Sequence, residues 1–464
     1  MHVSSRAVGL AFCLAAVACR DSSLPTAPRT QIQSVVADTN SDGAILLHVE
    51  LSAPSTVNID YWTDPAHKLR LQVAESGVTG TIWLPSLAAS KRYQYEVSAV
   101  GLAGASGPTV SGHIDTPPLP DNLQQVQINT TGTSSAPLTM LEFNGPYRGF
   151  VAVNSAGEPV WRWATQGTPQ GFTRRANGNF VFLDAGYGLF EVTPDGRTVH
   201  ELHPLPNGDR APHHDVIATP ANTLLFIALE QRAVTSPLGG SSVAGEAIWE
   251  WSPESGALTQ RWSAFDFYDP AVDVGARSTS SDWLHANSLA LGDHGNVILS
   301  LNWLSQVVSI APDWHSLEWR MGGANSTVAL DSAAVFQGQH TVSLLPNGHL
   351  LVFDNGRDRT AGARHSRALE IAFDPHGTGR LAWSFRPTPD EYDPYVGSAR
   401  RLSNGNTLIW FGMHDGFAGA VGPMGAYEAR ADGSVAWRLT LDAAGNINYR
   451  ATPLASIAGE TAVP

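Results

Sequence analysis

Residues 345–354 read LPNGHLLVFD, a polar turn centred on Asn347-Gly348 followed by the apolar run Leu350 to Phe353. Asn-Gly accepts left-handed backbone and makes a tight turn. The apolar run is too short for a helix, and its branched and aromatic residues suit a strand buried on both faces. The same frame returns as RANGNFVFLD (175–184), GDHGNVILSL (292–301) and LSNGNTLIWF (402–411), and without its glycine as TPANTLLFIAL (219–229). A second frame is a turn leading into a strand that carries Trp. It appears as NSAGEPVWRW (154–163), SPESGALTQRW (252–262), PDWHSLEWR (312–320), DPHGTGRLAWSF (374–385) and RADGSVAWRL (430–439). TPDGRTVHEL (193–202) has the same frame with His200 in place of Trp. Strands repeating at this irregular spacing, with no helical pattern between them, read as the blades of a β-propeller. The frames accommodate six blades across residues 126–464, and the bulky indoles fill the space between sheets.

Residues 31–119 read differently. Alternating runs such as AILLHVEL (44–51), STVNIDYW (55–62) and YQYEVSAV (93–100), separated by turns, predict a small all-β sandwich. LPSLAASKRYQYEVSAV (84–100) resembles the fibronectin type III pattern near its last strands. DTPPLPDN (115–122) closes this domain as a stiff linker.

The first nineteen residues form a secretory leader: Arg6, then the twelve-residue apolar run AVGLAFCLAAVA, then Cys19 after small residues. The run is shorter than the roughly 20 residues that span a bilayer. Ala16-Val17-Ala18-Cys19 resembles a bacterial lipobox, which implies acylation of Cys19 and a membrane-anchored, periplasmic or cell-surface protein on a flexible tether at residues 20–30. Cys13 and Cys19 are the only cysteines, so the body has neither a disulfide nor a thiolate metal ligand. With 42 acidic residues against 28 basic, the chain lacks the cationic excess that nucleic-acid binding requires.

Three histidines occupy one slot of the repeat. His214 in PHHDV (212–216), His285 in DWLHANSL (282–289) and His340 in VFQGQHTV (335–342) each lie just ahead of a blade's turn, in the innermost strand. Innermost strands line a propeller's axis, so the spacing predicts that the three imidazoles meet at the channel mouth. Of the pair His213-His214, alternation lets one face inward, and His214 is the choice because Asp215 follows it. Asp215 or Asp282 is placed to set an imidazole tautomer. His414 in GMHDG is a further candidate from another blade.

Together HHDV, DWLHANSL, QGQHTVSLLPNGHLLVFDNG, SRALEIAFDP and GSARRLSNGNTLIWFG resemble the bacterial arylsulfate sulfotransferases, over residues 139–451. The resemblance implies a six-bladed propeller. It also implies transfer of a sulfuryl group from a phenolic sulfate ester to a phenol or other hydroxyl acceptor, with no cofactor and no nucleotide sulfate donor. It puts the sulfated nucleophile at His340, with His285 and His214 as its partners. Neutral imidazole suits this chemistry, because it is nucleophilic near pH 7 without a metal. Where the family carries a sulfate-holding arginine this chain has Asn302 and Trp303, so Asn287, Asn302 and Arg367 are the expected substrate contacts, with Arg364, Arg400 and Arg401 as other guanidinium sources. Two other readings fit the same residues. One is a non-catalytic propeller that binds sulfated or aromatic ligands. The other is a metallohydrolase built on the three histidines, although no HxH or HExxH spacing supports it.

Overall fold

The computed structural model describes residues 30–463, apart from 41–42, 102–103, 105, 205–210, 361–363 and 443–446. The expected leader, Cys19 and nearly all of the tether lie outside the described residues.

Among the described residues six sheets make up the larger body, antiparallel except where Ala329–Leu330 pairs in parallel with Thr378–Phe385. Sheets two to five each use consecutive strands, whose innermost members are Thr168–Arg174, Pro212–Ala218, Ala286–Leu291 and His340–Leu344. The sixth begins with Ser398–Arg401 and takes Gln127–Gly132 as its outermost strand. The first is assembled from both chain ends: Ile447–Leu454 pairs with Leu138–Asn144 and supplies its innermost strand. Each innermost strand touches the next, and that of the sixth sheet touches that of the first, so the ring is closed. The body is a β-propeller, and its second strands read as the repeat required: Val297–Leu301 is buried at every position, as befits a strand covered on both faces.

The tryptophan frame explains how blades latch. Trp161 Nε1 donates to Pro194 O in the next blade (2.8 Å), Trp383 Nε1 to Ala431 O (3.1 Å) and Trp437 Nε1 to Ser155 O (3.0 Å). Each indole buries its rings and spends its single N–H on the neighbouring blade's turn, so one residue type serves both packing and closure.

The N-terminal domain is a sandwich of Ile32–Thr39, Ile45–Leu51 and Thr79–Trp83 against Leu69–Ser76, Ser55–Trp62, Arg92–Gly101 and Val110–Asp115. Strands such as Ser55–Trp62 alternate strictly between buried and half-buried positions, as the sequence periodicity requires. One boundary differs from expectation. The last strand, Thr461–Ala462, leaves the propeller and pairs with Leu69–Ser76 of the sandwich. The sandwich also packs Ala88 and Trp83 against the cluster of Phe150, Trp161 and Phe182 in the first two blades.

Candidate active site

The site begins with a local irregularity repeated from blade to blade. In four successive innermost strands the pairing register slips: between Pro169 and Phe172, Pro212 and Val216, Ala286 and Ser288, and His340 and Val342. At or beside each slip one residue adopts left-handed backbone, namely Gly171 (φ 74°), His214 (φ 63°), His285 (φ 54°) and Thr341 (φ 44°). A bulge re-aims a side chain that strict alternation would send elsewhere. Non-glycine residues held this way cost about 1–3 kcal/mol each, and such backbone clusters at functional sites. The distortion also settles the His213-His214 pair. With His214 left-handed, neither ring turns away, and His213 Nδ1 lies 2.7 Å from His214 Nδ1.

His340 is buried at the first position of its strand, with 1% of its surface exposed. Its Nδ1 lies 2.8 Å from Asn355 Oδ1. Asn355 cannot flip, because its amide N–H groups donate to Asp393 O (2.7 Å) and Val396 O (2.8 Å). Asn355 Oδ1 is therefore the acceptor, His340 Nδ1 carries the proton, and Nε2 keeps its lone pair. That Nε2 is buried with no hydrogen-bond partner. Burial, outweighing the Asn355 bond and reinforced by the charges of Arg357, His285 and Arg450, pushes the His340 pKa well below the usual histidine value and keeps the ring neutral.

The other two imidazoles stand close by. The rings of His214 and His285 meet edge to face at 4.6 Å. Tyr449, from the strand that closes the ring, lies 5.8 Å from His214 and 6.1 Å from His340. His285 Nδ1 pairs with Asp282 Oδ2 at 2.8 Å, and its ring stacks on Trp303 at 4.2 Å. Desolvation, then the charges of His285 and His213, drive the His214 pKa well below the usual value. Beneath the rings lies a buried ionic group. Arg450 pairs with Asp215 (2.7 Å), and Glu142, desolvated nearby, has its pKa raised to about 7. Asp215 is thus not a histidine partner: its oxygens accept from Arg450, Val216 N and Leu289 N.

The expected substrate contacts are placed otherwise. Asn287 and Asn302 both donate to the carbonyl of Gln339, at 2.9 and 2.8 Å, and so brace the residue preceding His340. Asn302 Oδ1 accepts from Arg357. Arg367 is spent on Asp354 Oδ2 and Val335 O, both at 2.9 Å, closing a strand end. Arg401 pairs with Glu370, Arg364 lies over Tyr392, and the half-buried Arg400 stands near Arg450, Asp215 and Glu142. His414 lies in a separate pocket with Asp415, Met424 and Asp442. Among the described residues no three His, Cys, Asp or Glu side chains are grouped as metal ligands.

The guanidinium at the site is Arg357. It is 3% exposed and lies against Trp303 (4.6 Å) and Tyr395 (5.2 Å), and its Nε is buried without a partner. Burial, then repulsion from Arg277, lowers its pKa to about 10. Gly338 makes room for it: the backbone there is left-handed (φ 59°), and a Cβ would come within 2.9 Å of Arg357 Nη2. A buried cation with no carboxylate partner in its described contacts is a costly arrangement unless an anion completes it.

The sequence model described as arylsulfotransferase (ASST) matches residues 124–450. The chain belongs to the arylsulfotransferase family. No curated protein matches it in sequence. Among solved structures it is similar to a Bacteroides caccae protein of unknown function, at 15% identity and a TM-score of 0.46, covering 69% of this chain and 99% of that one. Streptogramin B lyase follows at 12% identity and 0.37, covering 86% and 97%. The calcium-binding protein regucalcin from Agrobacterium tumefaciens stands at 13% and 0.36, covering 61% and 80%.

Sequence reasoning about this arylsulfotransferase missed Arg357, Asn355 and Tyr449. A signal existed for two of them. DNGR (354–357) ends the very strand that pairs with the His340 strand, so Asn355 and Arg357 emerge at the same end of the blade as His340. Tyr449 required knowing that the C-terminal strand folds back into the first blade.

Proposed function

We propose that this arylsulfotransferase moves a sulfuryl group from a phenolic sulfate ester to a phenol or other hydroxyl acceptor through a sulfated His340. The state of His340 carries the reading: a neutral ring, its Nδ1 proton held by an immobile Asn355, and a bare Nε2 with no partner. In the first half-reaction the Nε2 lone pair forms an N–S bond as the S–O bond to the aryl group breaks. The departing phenolate takes a proton from a second imidazole. In the second, an acceptor hydroxyl attacks sulfur, the N–S bond breaks, and the hydroxyl proton goes to that same imidazole. The transition state is loose, so positioning and charge stabilisation dominate. Arg357 and the Asp282-paired His285 hold the charge on the sulfonate oxygens. Trp303 and the half-open Tyr395 offer faces for the aryl ring. Arg357 thereby takes the part that Asn302 leaves empty.

The test is incubation with nitrophenyl sulfate and phenol, with mass analysis for an acid-labile sulfonate on the peptide bearing His340. Nitrophenol release that follows ping-pong kinetics and disappears in His340→Gln is expected. No release with any hydroxyl acceptor, alongside equal ligand binding by wild type and His340→Gln, leaves a binding propeller instead. The leader-like segment and the lipobox-like Cys19 support the further reading that this activity works outside the inner membrane on a lipid anchor. Partition of the mature protein into detergent, lost in Cys19→Ser, checks it.

A further inference from the structure

His213 and Glu246 have no part in the reading above, yet they are built into its edge. Glu246 is 1% exposed. One of its oxygens accepts from Ala286 N at 3.0 Å, next to His285. The other lies 3.1 Å from His213 Nε2, the one group able to carry positive charge within ion-pair reach of Glu246 among the described residues. The two atoms meet at ion-pair distance without a hydrogen bond between them, and each is buried with no other partner, so it is the charge of the Glu246 carboxylate that favours a proton on His213 Nε2. The opposite nitrogen, His213 Nδ1, is 2.7 Å from His214 Nδ1. Two nitrogens that close share one proton between them. His214 Nε2 has no described partner and is the nitrogen left for the pocket.

We propose that Glu246, His213 and His214 form a proton relay that makes His214 the imidazole exchanging protons with the leaving and attacking oxygens; this rests on the sulfuryl-transfer reading. His214 is hemmed in by His285, His213, His340, Tyr449 and Arg450, so a positive charge on its own ring is opposed from several sides. The relay moves that charge outward. Before transfer, His213 is doubly protonated beside Glu246, and His214 is neutral with its proton on Nε2. As the phenolate leaves, the His214 Nε2–H bond breaks and an O–H bond forms on the phenol. The proton on His213 Nδ1 crosses to His214 Nδ1. His213 and His214 both end neutral. The acceptor half-reaction runs the same shifts backward, so protons balance over the cycle. Asp282, whose carboxylate is held below the usual range by His285, also feels the His213 charge, but it is committed to His285. His213 and Glu246 are positioning residues: neither touches substrate.

The experiment pairs a good leaving group with a poor one and adds a readout that needs no turnover. Nitrophenolate departs without help, whereas unsubstituted phenolate needs an acid, and general acids contribute about 10²-fold or more. Glu246→Gln and His213→Asn are expected to lose under 5-fold with nitrophenyl sulfate and about 10²-fold with phenyl sulfate. His213→Asn retains an amide N–H donor near the Nδ1 position and cannot pass a proton, so it guards against a misfolded Glu246→Gln. Nitrogen-15 spectra of labelled histidine are expected to show His213 protonated on Nε2 in the wild type, and a changed His214 tautomer in Glu246→Gln. Equal losses with both esters, or a His214 tautomer indifferent to Glu246, overturns the relay. If the wild type turns over neither ester, the sulfuryl-transfer reading fails, and the nitrogen spectra still decide the relay.

Discussion

Replacing Arg357 with methionine separates what the site does from what holds it up. Burial lowers the guanidinium pKa to about 10, which corresponds to roughly 3 kcal/mol against its charged form in the fold. The substitution removes that penalty. It also removes the contacts with Trp303 and Tyr395, about 1 kcal/mol each, and leaves Asn302 Oδ1 without its donor, ~1–3 kcal/mol. The terms nearly cancel, so stability is expected to stay within about 2 kcal/mol of wild type. Turnover behaves otherwise. Loss of one preorganised donor on a developing anion costs about 10²–10³ in kcat. Denaturant melts and initial rates with nitrophenyl sulfate, taken on the same preparation, provide both numbers. Inorganic sulfate is expected to raise the melting temperature of wild type and to leave the variant unchanged. Turnover within about 5-fold of wild type, or a rate loss that merely tracks the loss of folded protein, refutes the assignment of Arg357 to the sulfonate.

Glu142 yields a prediction of opposite character. Its carboxyl titrates at 4.5 when free and at about 7 in the fold, so the folded state binds a proton that the unfolded state has already lost. Its contribution is intact below 4.5 and is lost as pH rises toward 7. Between pH 5 and 8 the wild type is expected to lose roughly 2–3 kcal/mol from this group, and Glu142→Gln to lack that drop in urea melts. Asn355→Leu leaves Val396 O and the Nδ1 proton of His340 without partners and Asp393 O with Ser366 Oγ alone. It is expected to cost several kcal/mol, at ~1–3 per buried orphan. The His340 ring then has no enforced tautomer, which the same histidine nitrogen spectra report.

The propeller was legible because its two frames are local. A polar Asn-Gly turn and a Trp-bearing strand need only ten or so neighbouring residues to be recognised, and the repetition multiplied the signal. The three histidines were legible for the same reason, since each sits in the same slot. What the spacing could not convey is backbone handedness. Strict alternation forbids His213 and His214 from sharing a side, and only the left-handed turn at His214 allows it. The surroundings of Asn302 were not legible either, because a residue aligned with the family arginine need not face the same space. Here its amide supports Gln339 and Arg357 instead. Arg357 sits just past the strand that pairs with the His340 strand, whereas Tyr449 comes from the far end of the chain, and no local pattern announces a contact across that distance.

The strand Ile447–Leu454 has a consequence for timing. It carries Tyr449 and Arg450 into the centre of the ring, and the chain then runs on to finish the sandwich at Thr461–Ala462. Both residues leave the ribosome after His214, His285 and His340 are already made. A chain clipped before Ile447 lacks Tyr449, Arg450 and the Thr461–Ala462 strand together, so one late segment both completes the first blade and pairs with the first-made domain.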